Sequence, residues 1–454
     1  MKRTRLTLAL LLAATPAVAA PPPAARPAPG PAGEPSACVP GRSGAIARVA
    51  CALAAELGGV PAGALVVAAP LVSDVPAPDP GRLTARVAGV VAGALGHGAR
   101  SADEAASLAR GRSLASAAGS LVFLQVTLAR GELRVVADLF PVPRGFWERV
   151  RDPEPSPRAH AFASERLDAE LRALLPPVPL VASRVDRASS PEKSPLALAC
   201  GDLDGDGALE LVITGRVAVH VGRIRNRAFV GSAVSRWSEL SAVAPSPLRA
   251  PIGGLAIEPG RYLEVGITDR AEALRLDSTL RPLQKLGREL PWPAAGCIRV
   301  AGVALSSAPT PCRSGDGASA RVELGEPLDA VAGAWVSRPD GSARRVLAGR
   351  IAGKPIALLV DDEGRRARVE GAGAELAVGD LDGDGAPELL AGTDTLDPAS
   401  DALVAWTWRE DGTVIERLRL AVKSGVHAIA VCPPDGPGLA PVAVATGDGV
   451  WVVR

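Results

Sequence analysis

Aromatic residues are scarce: Phe, Trp and Tyr make up 3% of the 454 residues, with a single tyrosine among them. That argues against a base-stacking surface or an extended sugar-binding platform, both of which need rows of rings. An excess of one charge is also missing. Fifty Lys and Arg meet 49 Asp and Glu, a net +1, so nothing draws the chain to nucleic acid or anionic lipid. The four histidines, His97, His160, His220 and His427, stand singly with no metal-spaced pair, and each is expected to be a surface residue or a satisfied core residue. There is no G-x-S-x-G, no phosphate loop and no H-E-x-x-H. Ser190-Pro-Glu-Lys193 matches S-x-x-K by chance, since a proline directly after the serine suits no helix start built for a nucleophile. No residue is therefore put forward as catalytic or cofactor-binding.

Long hydrophobic runs are lacking too. Spanning a bilayer takes roughly 20 uninterrupted apolar residues, and no stretch approaches that. The extreme N-terminus instead carries Lys2, Arg3 and Arg5, an apolar run from Leu6 to Ala14, and Ala17-Val18-Ala19. This is the pattern of a secretory signal peptide over residues 1–19, so the chain is expected to be periplasmic or secreted, with no transmembrane segment in the mature protein. Pro21 to Ala37, rich in Pro and Ala, cannot build a core and reads as an extended linker over 20–37.

Six cysteines in an exported chain favour disulfides, although sequence alone leaves 15 connectivities open. Cys38 with Cys51 and Cys297 with Cys312 are plausible local pairs. Cys200 and Cys432 remain, as a bridge or as two buried thiols.

Over 38–177 helical and strand patterns mix. Ala45 to Leu57 reads as a helix, Ala64 to Ala69 as a buried strand, and Leu83, Val87, Val90, Val91 and Leu95 recur at helical spacing. Ser101-Ala-Asp-Glu104 looks like a capping box opening another helix. Leu121–Leu128 and Glu132–Phe140 form a hairpin around Ala-Arg-Gly, and Ala161 to Leu175 reads as helical up to Pro176-Pro177. The region is thus a small α/β (α+β) domain. Its element order resembles the N-terminal domain of the Tol-system protein TolB and related envelope domains.

From 178 to 454 helices vanish, and short apolar runs alternate with Gly, Pro, Asp and Ser turns. Related segments begin at Leu196, Gly253, Glu375 and His427, each a strand, a polar turn and a strand. Repeats of about 40 to 50 residues of this kind are the signature of a β-propeller, here of six or seven blades. The final strand, Gly449 to Arg454, needs an outer partner, expected from Leu180 to Val185; this would set Cys200 and Cys432 in neighbouring first and last blades. Tryptophans such as Trp406 and Trp408, at period two, are expected between blades.

The sharpest signal is Asp202-Leu-Asp204-Gly-Asp206-Gly-Ala208-Leu-Glu210, repeated as Asp380-Leu-Asp382-Gly-Asp384-Gly-Ala386-Pro-Glu388. Four carboxylates crowded into nine residues repel one another unless a hard cation joins them, and oxygen donors at this density suit calcium. The glycines let alternate side chains converge, and Ala208 and Ala386 are placed to offer backbone carbonyls. An EF-hand begins alike but needs a glutamate at position 12 and flanking helices; position 12 is Ile213 or Ala391, and both flanks read as strands. A strand-loop-strand site closing at position 9 resembles the FG-GAP and VCBS repeats of integrin α-subunit propellers and many secreted bacterial proteins. That resemblance implies two structural calcium ions and a non-catalytic binding or scaffolding protein, with an unknown protein or cell-envelope or extracellular ligand as partner. Alternatives are a secreted hydrolase or lyase with its site at the propeller axis, or a TolB-like envelope-assembly component.

Overall fold

The computed structural model describes residues 44–454, apart from 144, 153, 246–249, 313–321 and 436–437. The expected signal peptide, the linker and Cys38, the proposed partner of Cys51, lie outside the described residues.

The N-terminal part packs helices on one mixed sheet. Helix α1 (Ala45–Leu57) buries Ile46, Val49, Ala50, Leu53 and Leu57, the three-to-four spacing of an amphipathic face. After β1 (Leu65–Ala68) and the two-residue β2 (Val72–Ser73), α2 (Pro80–Leu95) starts at Asp79, whose side chain accepts the Arg82 amide at 2.9 Å, and stops at Gly96 with φ 63°. Next come β3 (Arg100–Ser101), α3 (Leu108–Leu114), β4 (Ser120–Ala129), β5 (Glu132–Pro141), α4 (Phe146–Arg151), β6 (Ala159–Arg166) and α5 (Ala169–Arg172). The sheet order is β3-β1-β4-β5-β6, with β2 beside β4. The β4–β5 hairpin turns through Arg130 and Gly131, both at positive φ, a turn whose twist matches its strands.

Two readings of this part are corrected. Ser101 opens no helix: Ser101 pairs with Val66 as part of an edge strand, and Ser107 caps α3 instead. Residues 161–175 are not one helix. Ala161 and Ala163 face the core while His160, Phe162 and Ser164 face outward, so period two holds along β6 beside β5, and only four residues later form a helix.

The rest is a ring of antiparallel sheets. β7 (Val185–Ala188) precedes it; β8 (Ala197–Gly201), β9 (Glu210–Thr214), β10 (Ala218–Arg225) and β11 (Ala228–Arg236) make the first blade. β12 (Gly253–Glu258), β13 (Tyr262–Ile267), β14 (Ala273–Leu276) and β15 (Pro282–Gly287) make the second. A seven-stranded sheet follows: β16 (Glu289–Trp292), β17 (Gly296–Ala301), β18 (Ala304–Thr310), β19 (Leu328–Ser337), β20 (Ala343–Ile351), β21 (Ile356–Asp361) and β22 (Arg366–Glu370). β23 (Ala372–Gly379), β24 (Glu388–Thr393), β25 (Ala402–Trp408) and β26 (Val414–Ala421) form another blade. β27 (Val426–Val431), β28 (Val442–Thr446) and β29 (Gly449–Val453) form the last, with β7 as its outer strand.

Separate four-stranded blades therefore number four, not the six or seven expected. The difference arises at β18 and β19, where the buried pair Leu305↔Leu328 joins what would be two repeats into one continuous sheet. The closing strand also shifts: it begins at Val185, where the expected one ended, because the chain at Pro179 turns tightly, the Val181 amide bonding the Pro179 carbonyl at 2.9 Å. Cys200 and Cys432 form a disulfide joining the first and last blades, and Cys297–Cys312 forms within the seven-stranded sheet region. Trp237 and Trp292 are fully buried, each with its indole N–H on a backbone carbonyl, of Gly215 and Ala332.

Candidate functional site

The two Asp-Gly loops join β8 to β9 and β23 to β24, at the C-terminal ends of strands that face the ring axis. Glycines at 205, 207, 383 and 385 all take positive φ, which folds each loop back on its own carboxylates. In both loops the position-9 glutamate reaches back to the amide of position 2: Glu210 to Leu203 at 2.8 Å and Glu388 to Leu381 at 2.7 Å. Asp202 accepts from Gly205 and Gly207, and Asp380 from Gly385. The Ala208 and Ala386 amides donate to Asp206 and Asp384.

The loops then diverge. In the first, Asp202, Asp204 and Asp206 bring carboxylate oxygens within 4.8 Å of one another, while Glu210 is outside that set and bonds a guanidinium. Arg223 on β10 donates from Nε to Glu210 Oε1 at 2.6 Å and from Nη2 to Asp206 Oδ2 at 2.7 Å. These bonds hold the Asp206 carboxyl below the usual range and the Arg223 guanidinium firmly charged. In the second loop Asp380, Asp382 and Glu388 converge within 4.8 Å. Asp382 and Glu388 are buried, and Asp380 Oδ1 is buried with no hydrogen-bond partner. Burial, then the neighbouring Asp384 and Asp382 charges, push Asp380 up to about 8; burial and Asp384 push Asp382 up to about 6; burial and Asp380 raise Glu388 as well. An orphaned buried oxygen amid three converging carboxylates fits a hard cation. The first loop, with a guanidinium already seated, does not fit one equally well.

Sequence reasoning missed the arginines around these loops. Arg223 lies opposite Glu210, one step beyond the Gly222↔Leu211 pair, so counting back from the turn at Gly215 would have found it. The other two come from the N-terminal part. Arg166 donates to the Gly207 carbonyl at 2.6 Å, and Arg172, buried, donates to the Gly438 carbonyl at 3.1 Å with its charge facing Asp380 and Asp382. No sequence signal pairs these with the loops, since the contact is made by docking.

That docking covers one end of the ring. The other end is the mouth of a channel of about 610 Å³ lined by β8, β12, β16, β19, β23 and β27. Near the starts of these strands it carries Asp329, Glu375 and the exposed His427. Burial, with help from Asp401 and Asp329 and against Arg350, raises Glu375 to about 7. Arg350 is held by Asp329 at 2.6 Å and Asp394 at 2.9 Å.

Meandering sheets set radially about a lined channel define a β-propeller. No family model matches the chain, and no curated protein does. Among solved structures it is similar to a streptogramin B lyase (12% identity, 60% of this chain and 96% of that one, TM-score 0.32). It is also similar to virginiamycin B lyase from Staphylococcus aureus (10% identity, 60% and 99%, TM-score 0.34). TolB from Acinetobacter baumannii matches over 87% of this chain and 94% of its own, at 10% identity and TM-score 0.28.

Proposed function

We propose that this is an exported, non-catalytic binding or scaffolding protein whose propeller, of the FG-GAP/VCBS type, is stabilised by calcium in its Asp-Gly loops. The observation that carries the reading is the second loop: Asp380, Asp382 and Glu388 converge in a buried setting, and Asp380 Oδ1 lacks a partner. Calcium takes six to eight oxygens, and bound there it would neutralise carboxylates that otherwise repel one another. The N-terminal part lies on the loop side of the ring, so the opposite, channel-mouth face is the one left for a partner.

Thermal melting with calcium and with chelator tests this. At calcium 1 to 10 times the dissociation constant, stabilisation is about 0.4 to 1.4 kcal/mol, a rise of a few degrees in Tm. Asp380→Asn/Asp382→Asn should melt alike in both conditions. A wild-type melting point indifferent to calcium, with no ion bound, removes the reading. Export predicts cleavage after Ala19, which intact-mass measurement on secreted or periplasmic protein checks.

A second reading, a hydrolase or lyase working at the axis, is favoured by one observation: Glu375, titrating near neutrality beside Asp329 in the channel, has the character of a general acid. It requires turnover, on some polysaccharide or lipid, that Glu375→Gln abolishes.

A further inference from the structure

The two loops share residues at every ligand position, yet one side chain outside the motif separates them. Across the sheet from Glu388 stands Thr407, whose hydroxyl donates to Glu388 Oε1 at 2.9 Å. At the corresponding place across from Glu210 stands Arg223. Threonine places no countercharge on Glu388; the guanidinium that faces the second loop, Arg172, comes from the N-terminal part and lies toward Asp380 and Asp382 instead. Arginine gives Glu210 a countercharge.

We infer that the loops are functionally unequal: the second holds a calcium ion, whereas in the first the Arg223 guanidinium takes the ion's place as a built-in cation. This rests on the calcium reading of the second loop and revises the expectation of two ions to one.

Three observations support it. The guanidinium occupies Glu210 Oε1 and Asp206 Oδ2, two of the oxygens an ion would need. Glu210 is absent from the set of converging carboxylates in the first loop, while its counterpart Glu388 belongs to the set in the second. The orphaned oxygen follows the same division: Asp202 Oδ1 accepts the Gly205 amide at 2.8 Å, and its counterpart Asp380 Oδ1 has no partner. For calcium to enter the first loop, a charge-assisted pair would have to break and Arg223 would have to leave two carboxylates for water. The loops also differ in setting. Asp204 and Asp206 are exposed, so water and one guanidinium suffice for them, whereas Asp382 and Glu388 are buried and need a partner.

The test is calcium stoichiometry on the full metal-stripped protein, by calorimetric titration with calcium and by elemental analysis after equilibration. Wild type is expected to bind one ion, Asp202→Asn one, and Asp380→Asn none. Arg223→Gln, freeing the first loop, is expected to bind two. Thr407→Arg, which sets a guanidinium over Glu388 without touching a carboxylate, is expected to bind none. Circular dichroism of each variant establishes folding, and if either substitution at 223 or 407 prevents it, Asp202→Asn against Asp380→Asn still decides. Two ions in wild type, or a single ion lost in Asp202→Asn and kept in Asp380→Asn, overturns the inequality while leaving calcium binding intact. No ion in wild type overturns the calcium reading along with it.

Discussion

Glu375 has few neighbours able to neutralise it and much apolar strand around it, and its carboxyl is held near 7 against an ordinary 4.5. A carboxyl whose folded value is raised favours the native state while protonated. The benefit is complete below about pH 4.5 and is lost as pH rises from there to about 7. Glu375→Gln removes the titration. It should raise the melting temperature at pH 8 by a few degrees, for a difference of at most about 3 kcal/mol, and leave it nearly unchanged at pH 4.5. Equal effects at both pH values would show that the carboxyl is solvated in the folded protein. Asp329 contributes to the same site: its Oδ2 holds Arg350, while its Oδ1 is buried without a partner.

Among the elements, α5 has an influence out of proportion to its four residues. Asp168 accepts the Leu171 amide and, at 2.6 Å, the Ala45 amide at the start of α1, so it fastens α5 to the first helix. Arg172, at the other end of α5, packs over Gly383, where an added Cβ would lie 2.7 Å from Arg172 Cγ. Arg172→Met keeps much of that contact and removes the charge. It should lower Tm more in chelator than in calcium, because an ion at Asp380 and Asp382 makes the guanidinium redundant there; equal losses would mean that Arg172 acts by packing alone. What could be read beforehand divides along the same line. The loops, α1 and the β4–β5 hairpin were legible because each is set by neighbours in sequence: glycine turns, helical spacing, alternation around Arg130-Gly131. Residues 161–175 suit one helix in sequence because Leu167, Leu171 and Leu175 lie four apart; Ala161 and Ala163 before them follow a period of two, and only pairing with β5 decides. Arg166 and Arg172 were invisible as loop partners, since docking, which no local pattern encodes, puts them there, whereas Arg223 follows from the hairpin register once the turn at Gly215 is placed. The merger of β18 with β19 through one leucine pair was likewise beyond any count of repeats.

At the scale of the molecule the ring is shut twice, by hydrogen bonding of β7 to β29 and by Cys200–Cys432. A bridge between residues 232 apart restricts the unfolded chain strongly, about 5 kcal/mol in the chain-entropy model. Because β7 also brings the ends of the ring together, the expected loss in Cys200→Ser/Cys432→Ser is about 2 to 4 kcal/mol, read as a lower denaturant midpoint. A midpoint unchanged from wild type would mean that strand closure alone sets ring stability.

The position of β7 carries one more consequence, a mechanical one. It is both the closing strand of the ring and the piece of chain that leads to the N-terminal part, so tension applied to that part enters the ring at its seam. Four residue pairs, Val185↔Val453 to Ala188↔Val450, would bear the load and could peel one after another. The disulfide lies on the inner strands, off that line of force. With β7 stripped away the first and last blades would remain tethered, and the seam could reseal once the load is released.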